Sequence, residues 1–284
     1  MKELVIVSGK GGTGKTSIVS AFASLAENKV LCDADVDAAD LHLITAPDIK
    51  ERHDFKGGSK AVIDHRFCTE CGLCRNLCKW NAINDDFVID DLECEGCGVC
   101  VYFCPEKAIE FPVQTCGEWY ISETRFGPMV HARLGIAQEN SGRLVTLVRQ
   151  EGKKLAETNN LDLIITDGPP GVGCPVIASI GGASAVLIIT EPTLSGKHDM
   201  DRVAQLAAHF NVPAMISVNK FDLNKDETLA IEKYAKTKGI EVLERIPFDT
   251  ALTKSMVQAK NIFEYDESSV SAKAIEKIWK QINI

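Results

Sequence analysis

The chain has 284 residues, 45% of them hydrophobic and 25% charged, with a formal net charge of −9. That length accommodates one large α/β domain plus a small module, and the acidic balance argues against a nucleic-acid surface, which needs clustered Lys and Arg. No apolar run reaches membrane-span length and the opening run at residues 4–7 is too short for a secretion signal, so a cytoplasmic protein is expected. In that compartment eleven cysteines point to metal or redox chemistry rather than disulfides.

In chain order, residues 4–7 are a short apolar run that stops at glycine and read as a buried parallel strand. A helix is expected over 15–26, and a second strand over 30–32 ends at Asp33. Residues 47–65 turn polar, with Gly57-Gly58 as a joint, and 66–112 are rich in cysteine. Strands then follow at 119–122 and 129–134 about a Phe126-Gly127-Pro128 turn, and at 163–166, 185–190 and 214–218. Helices are expected over 143–158 and near 197–209, 227–238 and 270–282. This alternation predicts a mainly parallel sheet flanked by helices. The last helix carries Val270, Ala274, Ile275, Ile278 and Ile282 on one face. One apolar stripe is what docking onto a domain requires, so a docked helix is favoured over a membrane-targeting one.

Gly9-Lys10-Gly11-Gly12-Thr13-Gly14-Lys15-Thr16 matches the phosphate-loop pattern G-x-x-x-x-G-K-[ST], after a strand and before a helix. Its glycines let backbone N–H groups converge on phosphate, and the helix N-terminus adds dipole and donors. Lys15 would neutralise β- and γ-phosphate charge, and Thr16 would offer its hydroxyl to Mg²⁺. Asp33-Ala34-Asp35 and Asp167-Gly168-Pro169-Pro170-Gly171 each end a strand, and Asp167 is placed to hold Mg²⁺ as Walker B aspartates do. Asp37 and Asp40 read as solvated loop charges, and His131 and His198 have no ligand-like spacing.

Eight cysteines form a duplication: Cys68-x2-Cys71-x2-Cys74-x3-Cys78 recurs, 26 residues on, as Cys94-x2-Cys97-x2-Cys100-x3-Cys104. This is the bacterial ferredoxin spacing, in which the fourth cysteine of each run ligates the other cluster. One [4Fe-4S] cluster would use Cys68, Cys71, Cys74 and Cys104, the other Cys94, Cys97, Cys100 and Cys78. Zinc or a degenerate site is the alternative, although zinc sites normally show pairs of C-x2-C. Pro105 follows Cys104 as the motif expects, whereas Lys79 follows Cys78. Cys32 reads as a buried hydrophobe, and Cys116 carries no signal.

With Lys10 added to the phosphate loop, the chain resembles the MinD/ParA family of deviant Walker A ATPases, to which the nitrogenase iron protein and Mrp-type carriers are also related. Strings at 127–132, Asn140-Ser141-Gly142 and 190–196 extend the likeness over the whole chain. Within the family it resembles members with an inserted two-cluster ferredoxin domain. The resemblance implies a P-loop NTPase fold over 1–58 and 113–284 and a ferredoxin-like module over 59–112. It implies bound ATP and Mg²⁺, slow ATP hydrolysis and an ATP-dependent homodimer. Lys10 would reach the partner's nucleotide, Asp35 would orient the attacking water, and Asn219 of Asn219-Lys220-Phe221-Asp222 would contact adenine. That last string also resembles the guanine-reading segment of GTPases; the deviant loop favours ATP. In the nitrogenase iron protein a cysteine spaced like Cys174 ligates a cluster shared across the dimer; here no second ligand is visible, and a packed structural thiol is the preferred reading. The expected role is electron, cluster or metal delivery to a client metalloprotein, with a redox- or oxygen-sensing ATPase switch as the alternative.

Overall fold

The computed structural model describes residues 1–135 and 141–284. They form β1 (Lys2–Ser8), α1 (Lys15–Leu25), β2 (Lys29–Asp33), α2 (Leu41–Thr45), β3 (Asp48–Ser59), β4 (Val62–Ile63), α3 (Leu73–Leu77), α4 (Val99–Phe103), β5 (Ile109–Glu110), β6 (Val113–Thr124) and β7 (Gly127–Leu134). After the undescribed stretch come α5 (Ser141–Thr158), β8 (Leu163–Pro170), α6 (Cys174–Ile180), β9 (Ala185–Thr190), α7 (Leu194–His209), β10 (Ala214–Val218), α8 (Lys225–Thr237), β11 (Glu241–Val242), α9 (Thr250–Val257), α10 (Ile262–Asp266) and α11 (Val270–Gln281). Of the string Asn140-Ser141-Gly142, Asn140 lies outside the described residues.

Among the described residues, nine strands make one sheet in the order β11-β10-β9-β1-β8-β2-β7-β6-β3. The pairs from β11 to β7 are parallel, as the alternation of strands and helices requires. β1 is central because Leu4, Val5, Ile6 and Val7 are all buried, so both faces must be covered. One face packs on α1 and α11, where Phe22 meets Trp279 with ring centroids 5.1 Å apart. The other packs on α6, α7 and α8 through Val176, Ile180, Met200, Val203 and Ile231. The apolar face of α11 is thus spent on the domain, through Ala274, Ile275 and Ile278.

The chain divides into two compact units: Met1–His53 with Trp119–Arg133 and Ser141–Ile284, and Asp54–Glu118 with Leu134–Asn140, of which 136–140 lie outside the described residues. Residues 47–65, read above as a polar stretch with a joint at Gly57-Gly58, contain the 12-residue strand β3, which runs through both glycines. Its alternating charges hide it, because a strand at the sheet margin has little apolar surface to declare.

In the second unit the duplication is written in the backbone. Gly72 and Gly98 each take positive φ (76° and 72°) immediately before α3 and α4. Glu70 and Gly96, and Asn81 and Lys107, repeat the same left-handed turns 26 residues apart. β4 pairs antiparallel with β5, setting Ile63 against Ile109. The apolar cluster beside the cysteines is small: Ala61, Ile63, Ile83, Phe87 and Ile109, with five cysteines packed on it.

Candidate functional site

The phosphate loop runs from the end of β1 into α1. Gly14 precedes the helix with φ 87°, and a Cβ there would sit 2.6 Å from Nδ2 of Asn219, so only glycine fits. Gly9 is needed for a different reason: a Cβ would collide with Cβ of Asp199 at 2.1 Å, which seats α7 against the loop. Gly11, Gly12, Thr13, Gly14, Lys15, Thr16, Asp35, Asn219 and Phe248 help line a cleft of about 320 Å³. Thr13 Oγ1 is buried without a hydrogen-bond partner. An orphaned hydroxyl among converging glycines suits a phosphate ligand.

Lys15 is the hub. It is 6% exposed, and its ammonium contacts the carboxylates of Asp167 and of Asp35, the latter at 3.3 Å. Thr16 Oγ1 donates to Asp167 Oδ2 at 2.8 Å. Burial alone would lower the Lys15 pKa, but Asp167 and Asp35 outweigh it and raise it. Asp33 is fully buried, and its two oxygens accept from the N–H groups of Asp35 and Leu41, each at 3.2 Å. It therefore ties the 33–41 loop to the start of α2. Burial, and then the charge on Asp167, push Asp33 well above the usual carboxylate range. Asp35 is raised as well, by burial first, with Asp167 adding and Lys15 opposing. The carboxylates of Asp35 and Asp167 around one ammonium leave an excess of negative charge that a divalent cation would balance. Among the described residues no three Cys, His, Asp or Glu side chains are close enough to hold one ion alone. Mg²⁺ takes few protein ligands and keeps waters and phosphate oxygens.

Asn219 is buried. Its Nδ2 donates to the Thr13 carbonyl at 2.7 Å, and its Oδ1 accepts from Lys220 N at 2.9 Å, so its amide braces the phosphate loop from the cleft wall. Asp222 accepts the Phe248 N–H at 2.7 Å and is not among the cleft-lining residues. Pro247, Phe248 and Asp249 do line it. Lys10 Nζ lies 3.1 Å from Glu191 Oε2, and Lys220 pairs with the other oxygen of Glu191 while donating to the Gly12 carbonyl at 3.2 Å. Burial would raise the Glu191 pKa, but Lys220 and Lys10 hold it below the ordinary value. Glu191 and Asp33 were not singled out as site residues from sequence. Each sits at or just beyond the end of a buried strand, which was the available signal.

The eight clustered cysteines surround two voids in the second unit. One is lined by Cys68, Cys71, Cys74 and Cys104, the other by Cys94, Cys97, Cys100 and Cys78. The Cys74 thiol is raised by burial and by its neighbours Cys68, Cys71 and Cys104, against the Arg75 N–H. Cys100 behaves likewise beside Cys94 and Cys97. The Ala108 N–H donates to Cys104 Sγ at 3.3 Å. The remaining cysteines stand apart. Cys32 is buried, with its pKa raised chiefly by burial, and Cys116 is buried with its thiol on the Gly57 carbonyl. Cys174, expected as a packed structural thiol, is instead exposed, because it opens α6 at the helix N-terminus, and a Cβ on Gly142 would lie 3.4 Å from it.

Residues 4–262 match the profile of the family described as "CobQ/CobB/MinD/ParA nucleotide binding domain". The chain belongs to this family. It is 32% identical over 285 residues to an uncharacterized protein of Methanocaldococcus jannaschii, covering 99% of this chain and 96% of that one. Its fold is similar to that of the septum site-determining protein MinD from Pyrococcus horikoshii, complexed with Mg-ADP (TM-score 0.62, 17% identity, 99% and 96% of the two chains). It is also similar to the MinD cell division protein of Aquifex aeolicus (TM-score 0.57, 20% identity, 100% and 98%). The MinD/ParA fold and a nucleotide cleft are thus established. No helix among the described residues is long and apolar enough to cross a membrane.

Proposed function

We propose that this family member is an ATP-hydrolysing iron–sulfur protein, in which nucleotide-driven pairing of two copies is coupled to delivery of electrons, a cluster or metal to a client metalloprotein. The observation that carries the reading is the sorting of eight cysteines into two voids, each lined by three from one run and the fourth from the other. Four thiolates around a void suit a [4Fe-4S] cube. Bound there, the cubes supply one-electron chemistry.

In this reading the ATPase domain is 1–58 with 113–284, and 59–112 is the inserted ferredoxin-like module. Thr16 and Asp167 hold Mg²⁺, as supported by their mutual hydrogen bond and by the Mg-ADP in the Pyrococcus MinD structure. Lys15 steadies phosphate charge, and Asp35 orders the attacking water. Lys10 exchanges Glu191 for the nucleotide of the partner copy. ATP is preferred to GTP because the deviant phosphate loop outweighs the four-residue string, and because Asp222, the residue that would read guanine, is not among the cleft-lining residues. The packed apolar face of α11 favours a client that is a protein over a membrane.

Iron and sulfide analysis of anaerobically purified protein is the test, with about eight of each expected per chain. Cys78→Ser and Cys104→Ser should each strip iron from the cluster otherwise held by the opposite run, which spectroscopy of the survivor distinguishes. Zinc in place of iron, or iron unchanged in both variants, sinks the cluster assignment. Client reduction or metal loading indifferent to nucleotide sinks the coupling. An ATPase rate set by cluster oxidation, without transfer, would favour the sensing alternative.

A further inference from the structure

The sheet ends at β3, and nothing among the described residues pairs with its outer side. An exposed strand edge presents unpaired N–H and C=O groups, a template for another strand. Proteins usually blunt such edges with charges of one kind, above all lysine, so that two copies repel. β3 does otherwise. From Asp48 to Lys56 it carries both signs in alternation, and every residue from Asp48 to Arg52 is exposed, on both faces of the strand.

We propose that β3 pairs antiparallel with β3 of a second copy of this chain, about a two-fold axis at Arg52. In that register Lys50 lies opposite Asp54 of the second copy, and Asp48 opposite Lys56. Symmetry makes each of these pairs occur twice. On the other strand face Glu51 meets the second His53, and Ile49, 49% exposed, comes opposite Phe55, whose side chain is buried within its own copy and adds no apolar contact. Arg52 against itself is the single like-charged pair.

The pattern selects this register over its neighbours. Sliding the second strand by two residues one way puts Asp48 against Asp54 and Lys50 against Arg52. Sliding it by two the other way puts Lys50 against Lys56. A slip of one residue sets either Ile49 or Glu51 against Asp54. Directly opposed unlike charges stabilise a strand pair and like charges destabilise it, so the alignment about Arg52 is favoured at every charged pair but Arg52 itself. The charges already have local partners: Lys50 contacts Asp48, and His53 Nε2 lies 3.0 Å from Glu51 Oε2. The contact uses no nucleotide and no cysteine, so it is independent of the ATP-driven pairing proposed above.

Sedimentation velocity on the full-length, nucleotide-free protein tests it. The wild type should dimerise reversibly, and less at high salt. Lys50→Glu reverses two pairs at once and should weaken self-association at least about tenfold. The double variant Lys50→Glu, Asp54→Lys restores opposite signs at both and should recover the wild-type constant within about threefold. Circular dichroism of each variant separates lost pairing from lost folding. A nucleotide-free wild type that stays monomeric up to about 100 µM, a Lys50→Glu variant that dimerises as well as wild type, or a folded double variant that fails to recover overturns the proposal.

Discussion

The two units of this chain are stabilised by different means. In the first, a parallel sheet is covered on both faces, and residues such as Leu4, Ile6, Ile18, Phe22, Ile165 and Leu187 are wholly buried. Apolar burial of that extent supports a fold unaided. In the second, the apolar cluster beside the cysteines holds five buried side chains, the helices α3 and α4 are single short turns with no buried residue of their own, and the cysteines stand where a core would be. A module so poor in apolar contacts needs staples. One chain therefore contains a region whose order comes from water exclusion and, under the proposed function, a region whose order comes from bound clusters.

Removing iron should separate the two regions most sharply. Under anaerobic chelation, backbone amides of Val62–Ile63, Leu73–Leu77 and Val99–Phe103 should lose at least about a thousandfold of exchange protection, while those of β1, β8 and β9 keep theirs. Hydrogen exchange read by mass spectrometry checks this, and a second unit that stays protected would break the contrast. Next in size, Phe22→Ala empties a site that is fully buried and touches Trp279. It should cost about 3–5 kcal/mol in denaturant unfolding of the first unit, with the iron content of folded protein unchanged.

The smallest effect concerns His131, buried on β7 with Nε2 2.9 Å from Ser122 Oγ and its ring stacked on Tyr120. Burial, with a minor contribution from His42, lowers its pKa from 6.5 to about 4. Because the folded value lies below the unfolded one, the unfolded chain takes the proton first. Stability is complete above pH about 6.5 and declines as pH falls toward 4, by about 2 kcal/mol at pH 5. His131→Gln keeps a hydrogen-bonding group and removes the titration, so its melting temperature should fall less than wild type between pH 7 and pH 5. Parallel curves for the two proteins would assign the acid sensitivity elsewhere.

Much of this arrangement was legible in the sequence, for unequal reasons. The phosphate loop and the cysteine runs are local patterns whose chemistry demands fixed spacing. The expected strands at 4–7, 185–190 and 214–218 lie within β1, β9 and β10, because a doubly covered strand must be a continuous apolar run. β3 escaped notice because its charges alternate on a margin where burial exerts no pressure. The short α2, α9 and α10 escaped because helices of one or two turns carry too little periodicity to register. At the site, Asp33 and Asp35 occupy one motif, yet only the fold shows that Asp33 spends its oxygens on backbone N–H groups while Asp35 faces Lys15. Asn219 similarly reveals its bond to Thr13 only when two segments 206 residues apart are brought together.

The crossed lining of the two voids has a consequence for how they fill. Their cysteines are nested like brackets: Cys78 to Cys100 closes inside Cys68 to Cys104. Bridging the inner set shortens the loose chain that the outer set must still gather, and loop-closure entropy grows with the length left free. Occupancy of either void thus lowers the cost of occupying the other, with no contact between their contents. The module should exist as full or empty, with half-loaded forms scarce.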